Sequence, residues 1–488
     1  MKKVVVILAA AAAVLAAALS VGPHVLVSSG RLKKLVNAHP EEFRVDYDEA
    51  TAWLPGVLRF TNLRLRGQDH NVQWEVRLPT ARLDYAPFAL FSRTFRIRRL
   101  AGGPLEFRLR ERQEPGRVSR NAPIFPEIDG FSDPPMRDPN EPKSPPRTSP
   151  PWKVALDALD APTALLWIGP WRYEGDARVT GGFELQPGWR AEVGPAAIEF
   201  RRVSLSMGKD AVVVDAHGAA RCRIEPFDVR QVKGSAVWPY IGGQFSLAGR
   251  VAALDFFRHI VDERSAPALR RGRGEANVDV KIEKGVGKGE ATLKAEGVHT
   301  RTPRGELNGD LTIRAELPRW NFETGEIDVS GSRIEMRDVT AGTKGGAEVN
   351  WWGRIRIASG RIRDGLNARV AAQCRDARPL YRLFNVELPG WAEKMLELQN
   401  LEASARVRLA DGVKAFDDLS VTGGDYRISG DFADVRGQDH GVFLVEKGKL
   451  AVAVQIEGEK KSLRPLGARE WYQAAAEEHR RKWSAKRE

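Results

Sequence analysis

Residues 311–317 read LTIRAEL, a segment in which apolar side chains alternate with polar or charged ones. Because successive side chains of a β-strand point to opposite faces of a sheet, such a segment has one apolar and one hydrated face. Turn signals such as Asn308-Gly309 and Asp411-Gly412 lie between segments of this kind. The pattern predicts a mainly β protein built on a long antiparallel meander. The same alternation recurs in residues 278–283, 355–357, 405–409 and 450–457.

Composition limits the chemistry that this chain performs. Its 488 residues are enough for several domains, and Lys plus Arg exceed Asp plus Glu by 12, which favours an anionic partner. Cys222 and Cys374 have neither the spacing of a zinc site nor that of a redox pair, and the eight histidines form no paired ligand motif. No nucleophile elbow or phosphate-binding loop is present. We therefore expect a protein that is not an enzyme and that holds no metal or cofactor.

Residues 1–30 predict the compartment of the chain. Lys2 and Lys3 precede the apolar run Val4–Leu19, which continues more weakly to Val27. The stretch from Val4 to Val27 is about 36 Å long as a helix, enough to span a bilayer as an anchor. Ala18-Leu19-Ser20 also offers a signal-peptide cleavage site, so an uncleaved anchor and a cleaved signal both stay open. Either predicts that the rest of the chain lies outside the cytoplasm, which disfavours nucleic acid as the partner.

Three further segments interrupt the strand pattern. Residues 113–151 are rich in proline and predict a linker or an external loop. Residues 254–269 and 377–398 predict short helical insertions, and residues 463–488 predict a C-terminal helix with a basic end. That helix either contacts a membrane or a partner protein, or simply caps the last strand.

A group of four arginines lies close to the predicted anchor. These residues are candidates for contact with anionic lipid headgroups. The alternative is an ordinary solvated sheet face that discourages pairing at an edge. The group consists of Arg93, Arg96, Arg98 and Arg99.

Several N-terminal strands and turns resemble those of a known family. Residues 53–65 read WLPGVLRFTNLRL, and residues 76–85, 86–91, 95–100 and 105–109 follow as strand, turn, strand and strand. The stretches FDDLSVTGG, beginning at Phe416, and YRISGDF, beginning at Tyr426, are similar to the C-terminal part of the same family. This succession resembles the AsmA-like, TamB-related family of envelope proteins, bacterial relatives of chorein-type lipid-transfer proteins. The resemblance covers the first 110 residues and residues 270–460.

The resemblance implies an architecture and a location. Residues 31–112 would form an AsmA-like β region, and residues 152–462 an extended, β-taco-like groove with an apolar lining. The protein would cross the inner membrane once at its N-terminus, with its bulk in the periplasm, or be exported there if the segment is cleaved. Its partners would be a phospholipid or another acyl lipid and the inner membrane. Another envelope protein would join them if the C-terminal helix contacts a partner. Its role would be lipid transport or outer-membrane biogenesis.

Apolar residues of the alternating strands are the candidates for the groove lining. Burial of an acyl chain against such residues contributes about 0.8 kcal/mol per methylene group. The same strands are also compatible with closed β-sandwiches in a scaffold or assembly factor that binds no lipid. A third option, an exported carbohydrate-active enzyme, requires two converging carboxylates that the sequence does not nominate. The lining candidates are Val278, Val280, Ile282, Leu311, Ile313, Ile327, Val329, Ile355, Ile357, Val407 and Leu409.

Overall fold

The structure is a computed structural model that describes most of the chain. Residues 1–23, which hold most of the predicted membrane segment, and residues 377–398, which hold one predicted helical insertion, lie outside the described residues. So does most of the proline-rich segment 113–151. Among the described residues, no helix has both the length and the apolar character needed to span a membrane. The described residues are 24–38, 40, 43–68, 72–113, 118–119, 121–130, 152–186, 189–229, 231–232, 234–260, 269–302, 305–342, 351–376, 399–410, 413–435 and 437–484.

The chain divides into two compact units. Unit 1 comprises Met1–Arg250 and Ile282–Gly285. A short helix, α1 (Arg31–Val36), precedes its strands, and 3-10 turns occupy Pro87–Ser92, Ala122–Ile124 and Gly234–Tyr240. The strands of unit 1 are β1 (Phe43–Asp46), β2 (Glu49–Thr51), β3 (Val57–Gln68), β4 (Val72–Tyr85), β5 (Thr94–Gly102), β6 (Leu105–Glu111), β7 (Lys153–Ile168), β8 (Trp171–Gln186), β9 (Arg190–Met207), β10 (Asp210–Asp228) and β11 (Ile241–Val251), the last ending one residue beyond the unit.

Pairing in unit 1 is antiparallel except at one strand. β1 and β2 pair with β3, β3 pairs with β4, and β4 pairs with both β5 and β6. β7 runs parallel to β5 and β6, and antiparallel pairing then resumes from β7 to β10. The expectation of a purely antiparallel meander is therefore wrong at β7. A parallel neighbour needs a long connection, and residues 112–152, which include the proline-rich segment, provide one.

Unit 2 comprises Val251–Lys281 and Val286–Glu488. It contains the four-residue helix α2 (Phe257–Ile260), within the first predicted helical insertion, and the C-terminal helix α3 (Ala468–Ser484). The strands of unit 2 are β12 (Leu269–Glu283), whose last two residues belong to unit 1, β13 (Val286–Thr302), β14 (Gly305–Asn321), β15 (Glu326–Asp328), β16 (Arg333–Gly342), β17 (Trp351–Ile362), β18 (Gly365–Cys374), β19 (Leu401–Ala410), β20 (Val413–Gly423), β21 (Tyr426–Val435), β22 (Gln438–Lys447), β23 (Leu450–Glu457) and β24 (Lys460–Arg464).

The strands of unit 2 form the expected antiparallel meander. β13 pairs with β14, β14 with β16, and each strand from β16 to β24 with the next, while the short β15 bridges β14 and β17. The prediction of a C-terminal helix is confirmed. Its start lies later than the predicted residue 463, because Lys460–Arg464 pair with β23 before the helix begins at Ala468.

Candidate functional site

One face of the unit 2 sheet carries an apolar row that runs without interruption across ten strands. Each member lies opposite the next in the strand register, so the side chains are cross-strand neighbours on one face. At about 4.8 Å per strand, the row extends about 43 Å along the sheet. We call it the central row, and it consists of Leu293, Ile313, Ile334, Ile355, Ala372, Ala403, Val421, Ile428, Val445 and Val452.

Further apolar rows lie beside the central row on the same face. One runs from Ala368 through Val407 and Phe416 to Phe432. Another runs through Trp320, Ile327, Ile362, Leu366 and Leu409.

A bulge in β17 keeps Ile357 and Gly360 on the same apolar face. Ile357 pairs with Val370, whereas Gly360 pairs with Ala368. Because Val370 and Ala368 are two residues apart in a regular strand, Ile357 and Gly360 face the same side despite their odd spacing. Val329 joins them there, since a methyl group added to Gly360 would lie 3.1 Å from Cγ2 of Val329.

The structure thus brings most of the predicted lining residues together on one face. Leu311 lies two residues from Ile313 on β14, and it pairs with Ala295 and Met336. Val280 lies beside Gly289 of β13, because a methyl group added to Gly289 would lie 2.8 Å from the Cα of Val280. Val278 shares the face of Val280 by alternation. Of the candidates, Ile282 alone belongs to unit 1.

The opposite face of the same strands is polar outside the area that helix α3 covers. The residues that alternate with the central row form a second register row, which we call the polar row. Arg337 forms an ion pair of 3.0 Å with Glu335 on this face, and Gln373 donates a hydrogen bond of 3.2 Å to Glu402. The polar row consists of Thr312, Glu335, Arg354, Gln373, Glu402, Thr422, Arg427 and Glu446.

Most of the central row is only half-buried. Val445 is 9% exposed, and the other nine residues keep more of their surface in contact with solvent. Among the predicted lining residues, Val280, Leu311, Val329 and Val407 are buried, and the remainder are half-buried. The row is therefore an apolar surface on which a ligand would gain additional burial.

Helix α3 packs on the polar side of the sheet and leaves the central row uncovered. Ala468 of the helix contacts Leu444 and Ala453, with Trp471 and Tyr472 packed against the same cluster. Leu444 and Ala453 are opposite one another in the register and alternate with Val445 and Val452 of the central row. The ion pair between Arg469 and Glu446, at 2.7 Å, lies on this same polar side.

A buried polar contact anchors the other end of α3. The side chain of Asp431 is 1% exposed, and one of its oxygens lies 3.2 Å from Nε of Arg480. Its Oδ1 accepts a hydrogen bond of 2.8 Å from the backbone N–H of Asp418. Burial raises the pKa of Asp431, although that hydrogen bond and Arg480 act in the opposite direction.

One part of the apolar face is closed. Leu307, Val339, Trp351, Cys374 and Leu401 form a buried cluster, which we call the Trp351 cluster. Trp351 is 1% exposed, and its indole N–H donates to the carbonyl oxygen of Asp376 at 2.6 Å. Burial, with a smaller contribution from Asp376, raises the pKa of the Cys374 thiol to about 12. The cleft beside this cluster is small, with a volume of about 60 Å³.

The four candidate headgroup-contact arginines are exposed on unit 1. Arg96 binds Asp157 at 2.8 Å, and Arg99 lies 3.8 Å from Asp160, which also binds Arg178. The hydrogen bond to Asp157 raises the pKa of Arg96. Within the described residues, no acidic side chain forms an ion pair with Arg93 or Arg98.

Sequence reasoning missed several members of the central row. Ile334 lies in the segment RIEMRDV, whose first four residues alternate, and this signal was sufficient to nominate it. The alternation of residues 450–457 likewise predicted a strand at Val452, without marking it as a lining residue. Within the described residues, no group of three or more His, Cys, Asp or Glu side chains is arranged to hold a metal ion.

Comparison of the chain with protein-family models, with curated proteins and with solved structures finds no match.

Proposed function

We propose that this chain is a membrane-anchored, exported protein that binds lipid acyl chains on the apolar face of unit 2, in support of lipid transport or outer-envelope biogenesis. The observation that carries the proposal is the central row, ten apolar residues in unbroken register of which nine are half-buried. The resemblance of residues 53–65 and their neighbours to AsmA-like proteins supports the same role.

The length of the row favours an extended apolar ligand. A row of about 43 Å exceeds the roughly 30 Å hydrocarbon thickness of a whole bilayer, so it accommodates an acyl chain laid across the strands. Each methylene group that leaves water contributes about 0.8 kcal/mol. Soluble proteins seldom expose long contiguous apolar surfaces without a ligand or a partner.

The mechanism would be passive. The acyl chain lies on the central row, and the lipid headgroup stays in water, because the apolar rows offer it no hydrogen-bond partner. No bond is made or broken, and no cofactor takes part. In this proposal Arg93 and Arg98 are free to contact anionic headgroups of the inner membrane, whereas Arg96 and Arg99 are already engaged by carboxylates.

The scaffold alternative has less support. It requires an apolar face that closes on itself and a C-terminal helix that is available to a partner. Among the described elements of unit 2, each strand contacts chiefly its neighbours in the sheet. One face of α3 packs against strands β21–β23. Nine of the ten residues of the central row are only half-buried, so this face is not fully closed in the described part of unit 2.

A matched pair of variants tests the proposal. Ile313→Lys places a charge in the central row, and Thr312→Lys places the same charge one residue away on the polar side. Each full-length variant is purified in detergent, and its bound lipid is quantified by mass spectrometry. Lipid carried by the N-terminal apolar segment is common to both proteins, so the difference between them comes from the sheet.

We expect the Ile313→Lys protein to retain less lipid than wild type and the Thr312→Lys protein to retain the wild-type amount. Equal lipid in all three proteins would refute binding at the central row. If all three proteins also carry only the lipid expected of a detergent-solubilised anchor, the scaffold function replaces the proposed one.

A further inference from the structure

One end of unit 1 exposes a group of large apolar side chains. They come from two turns and from Trp152, which directly precedes β7, and four of them are aromatic. Exposed apolar residues are ordinary when they occur singly, but a group of this size marks an interaction surface. We call it the aromatic end, and its members, with their exposed fractions, are Trp53 (71%), Leu54 (58%), Phe88 (62%), Leu90 (38%), Phe91 (86%) and Trp152 (51%).

Backbone hydrogen bonds hold the two turns and Trp152 side by side. The N–H of Tyr85 donates to the carbonyl oxygen of Gly56 at 2.7 Å, which joins the turn after Trp53 to the turn that begins at Pro87. The N–H of Lys153 donates to the carbonyl oxygen of Arg93 at 2.9 Å, which brings Trp152 to the end of that second turn.

Gly56 makes the close approach of the two turns feasible. Its φ is 79°, in the left-handed region that favours glycine. A methyl group at this position would lie 2.9 Å from the carbonyl oxygen of Tyr85. The aromatic end is thus a fixed arrangement of turns.

The N-terminal part of the chain meets the fold at this same end. The His24 ring stacks on the Trp53 ring with 3.6 Å between centroids, and its Nδ1 accepts a hydrogen bond of 3.3 Å from the N–H of Ala52. In the sequence, the strongly apolar run ends at Leu19, five residues before His24. Five residues span at most about 18 Å, which is the upper limit on the distance from His24 to the end of the apolar run.

Together these observations identify the partner by its chemistry. Trp and Phe are favoured at the boundary between lipid headgroups and acyl chains, where an apolar ring is solvated on one side only. Exposed Arg93, which follows Phe91 in the same turn, adds a cation at the depth of anionic headgroups. We propose that the aromatic end inserts its turns into the interface of a phospholipid bilayer, the bilayer that holds the predicted N-terminal segment.

This inference goes beyond lipid binding on unit 2, since it concerns a different unit and an intact membrane. It predicts that unit 1 binds the bilayer surface directly through the aromatic end, in addition to any tether that the N-terminal segment provides. If it fails, the expected difference in bound lipid between the Ile313→Lys and Thr312→Lys proteins still stands, so the two proposals fail separately.

The test places an environment-sensitive fluorophore on a cysteine at the aromatic end of the full-length protein. The exposed Cys222 is first replaced by serine, while the buried Cys374 is retained. Phe91→Cys supplies the labelling site, and Leu466→Cys, at a residue 89% exposed on unit 2, supplies a control of matched exposure. Each labelled protein is reconstituted into vesicles of phosphatidylethanolamine and phosphatidylglycerol, with or without brominated acyl chains, and circular dichroism checks the fold.

We expect the fluorophore at position 91 to shift its emission to the blue and to lose intensity in brominated vesicles, while resisting quenching by aqueous iodide. The fluorophore at position 466 should show neither a blue shift nor quenching by bromine. Equal behaviour at the two positions, or ready quenching of position 91 by iodide, would overturn the proposal and assign the aromatic end to a protein partner or to solvent.

Discussion

The apolar face of unit 2 contains an open and a closed region. In the central row, Ile313, Ile334 and Ile355 are neighbours in register and remain half-buried. In the Trp351 cluster, on the same face, Val339 and Trp351 are buried. Both regions arise from alternating strands, so alternation alone does not determine whether an apolar face closes.

Bulges accompany the closed region. Three register shifts fall close together there, between Ala295 and Val298, between Asn308 and Asp310, and between Met336 and Val339. A bulge bends its strand and increases the local twist, which brings side chains of one face closer to each other. The central row crosses its ten strands in uninterrupted register and stays open. Register shifts also lie beside the central row, between Ile357 and Ser359 and between Ser404 and Arg406. The comparison teaches that large side chains such as Trp351, together with local bulges, set the closed region apart.

The largest expected effect is on stability. Trp351→Ala should lower the free energy of unfolding by about 3 to 5 kcal/mol, because it removes a fully buried indole and leaves a cavity. Ile334→Ala should cost clearly less, since Ile334 already contacts solvent. Urea unfolding of both proteins measures the difference. Equal losses would mean that the two regions are packed alike, contrary to the comparison.

The next effect separates the two faces of the sheet. Trp471→Ala removes a half-buried ring from the contact of α3 with the polar side, and should lower stability by about 1 to 2 kcal/mol. Because α3 does not cover the central row, bound lipid should stay at the wild-type level. Mass spectrometry of lipid together with urea unfolding tests both statements. Loss of lipid in this variant would show that α3 supports the apolar face.

A smaller effect depends on pH. The folded pKa of Asp431 lies above its unfolded value of 3.8, so its contribution to stability is complete below that value and declines as pH rises through the folded pKa. The free energy of unfolding of wild type, relative to that of Asp431→Asn, should therefore fall as pH rises from about 4 toward neutrality. A pKa difference of one unit corresponds to about 1.4 kcal/mol.

The groups around Asp431 set the size of that effect. Arg480 and the N–H of Asp418 favour the ionised carboxylate, whereas the nearby Asp417 and Asp418 carboxylates oppose it, and the Tyr472 side chain also lies in this environment. Unfolding curves of the two proteins across this pH range provide the measurement. A relative stability that rises with pH would mean that Arg480 outweighs burial and that the pKa of Asp431 is lowered by folding.

The sequence predicted strands and their faces better than it predicted their arrangement. Alternation placed Ile313 and Ile355 on one apolar face, since strict alternation holds along both segments. It did not reveal the bulge after Ile357, because a bulge depends on the partner strand. Nor did it reveal the parallel pairing of β7, which depends on contacts between residues about 60 apart, such as Thr94 with Lys153. Whether Ile334 is open or Trp351 is closed follows from packing that no local pattern encodes.

The most direct test of the central claim is photo-cross-linking at adjacent residues on opposite faces. A benzophenone amino acid replaces Ile334 in the central row or Glu335 in the polar row, and the full-length protein is irradiated in cells. Benzophenone inserts into nearby C–H bonds, such as those of an acyl chain. We predict lipid adducts at position 334 and none at position 335, read out by mass spectrometry of the isolated protein. Adducts at both positions alike, or at neither, would contradict the existence of an open acyl-binding face on unit 2.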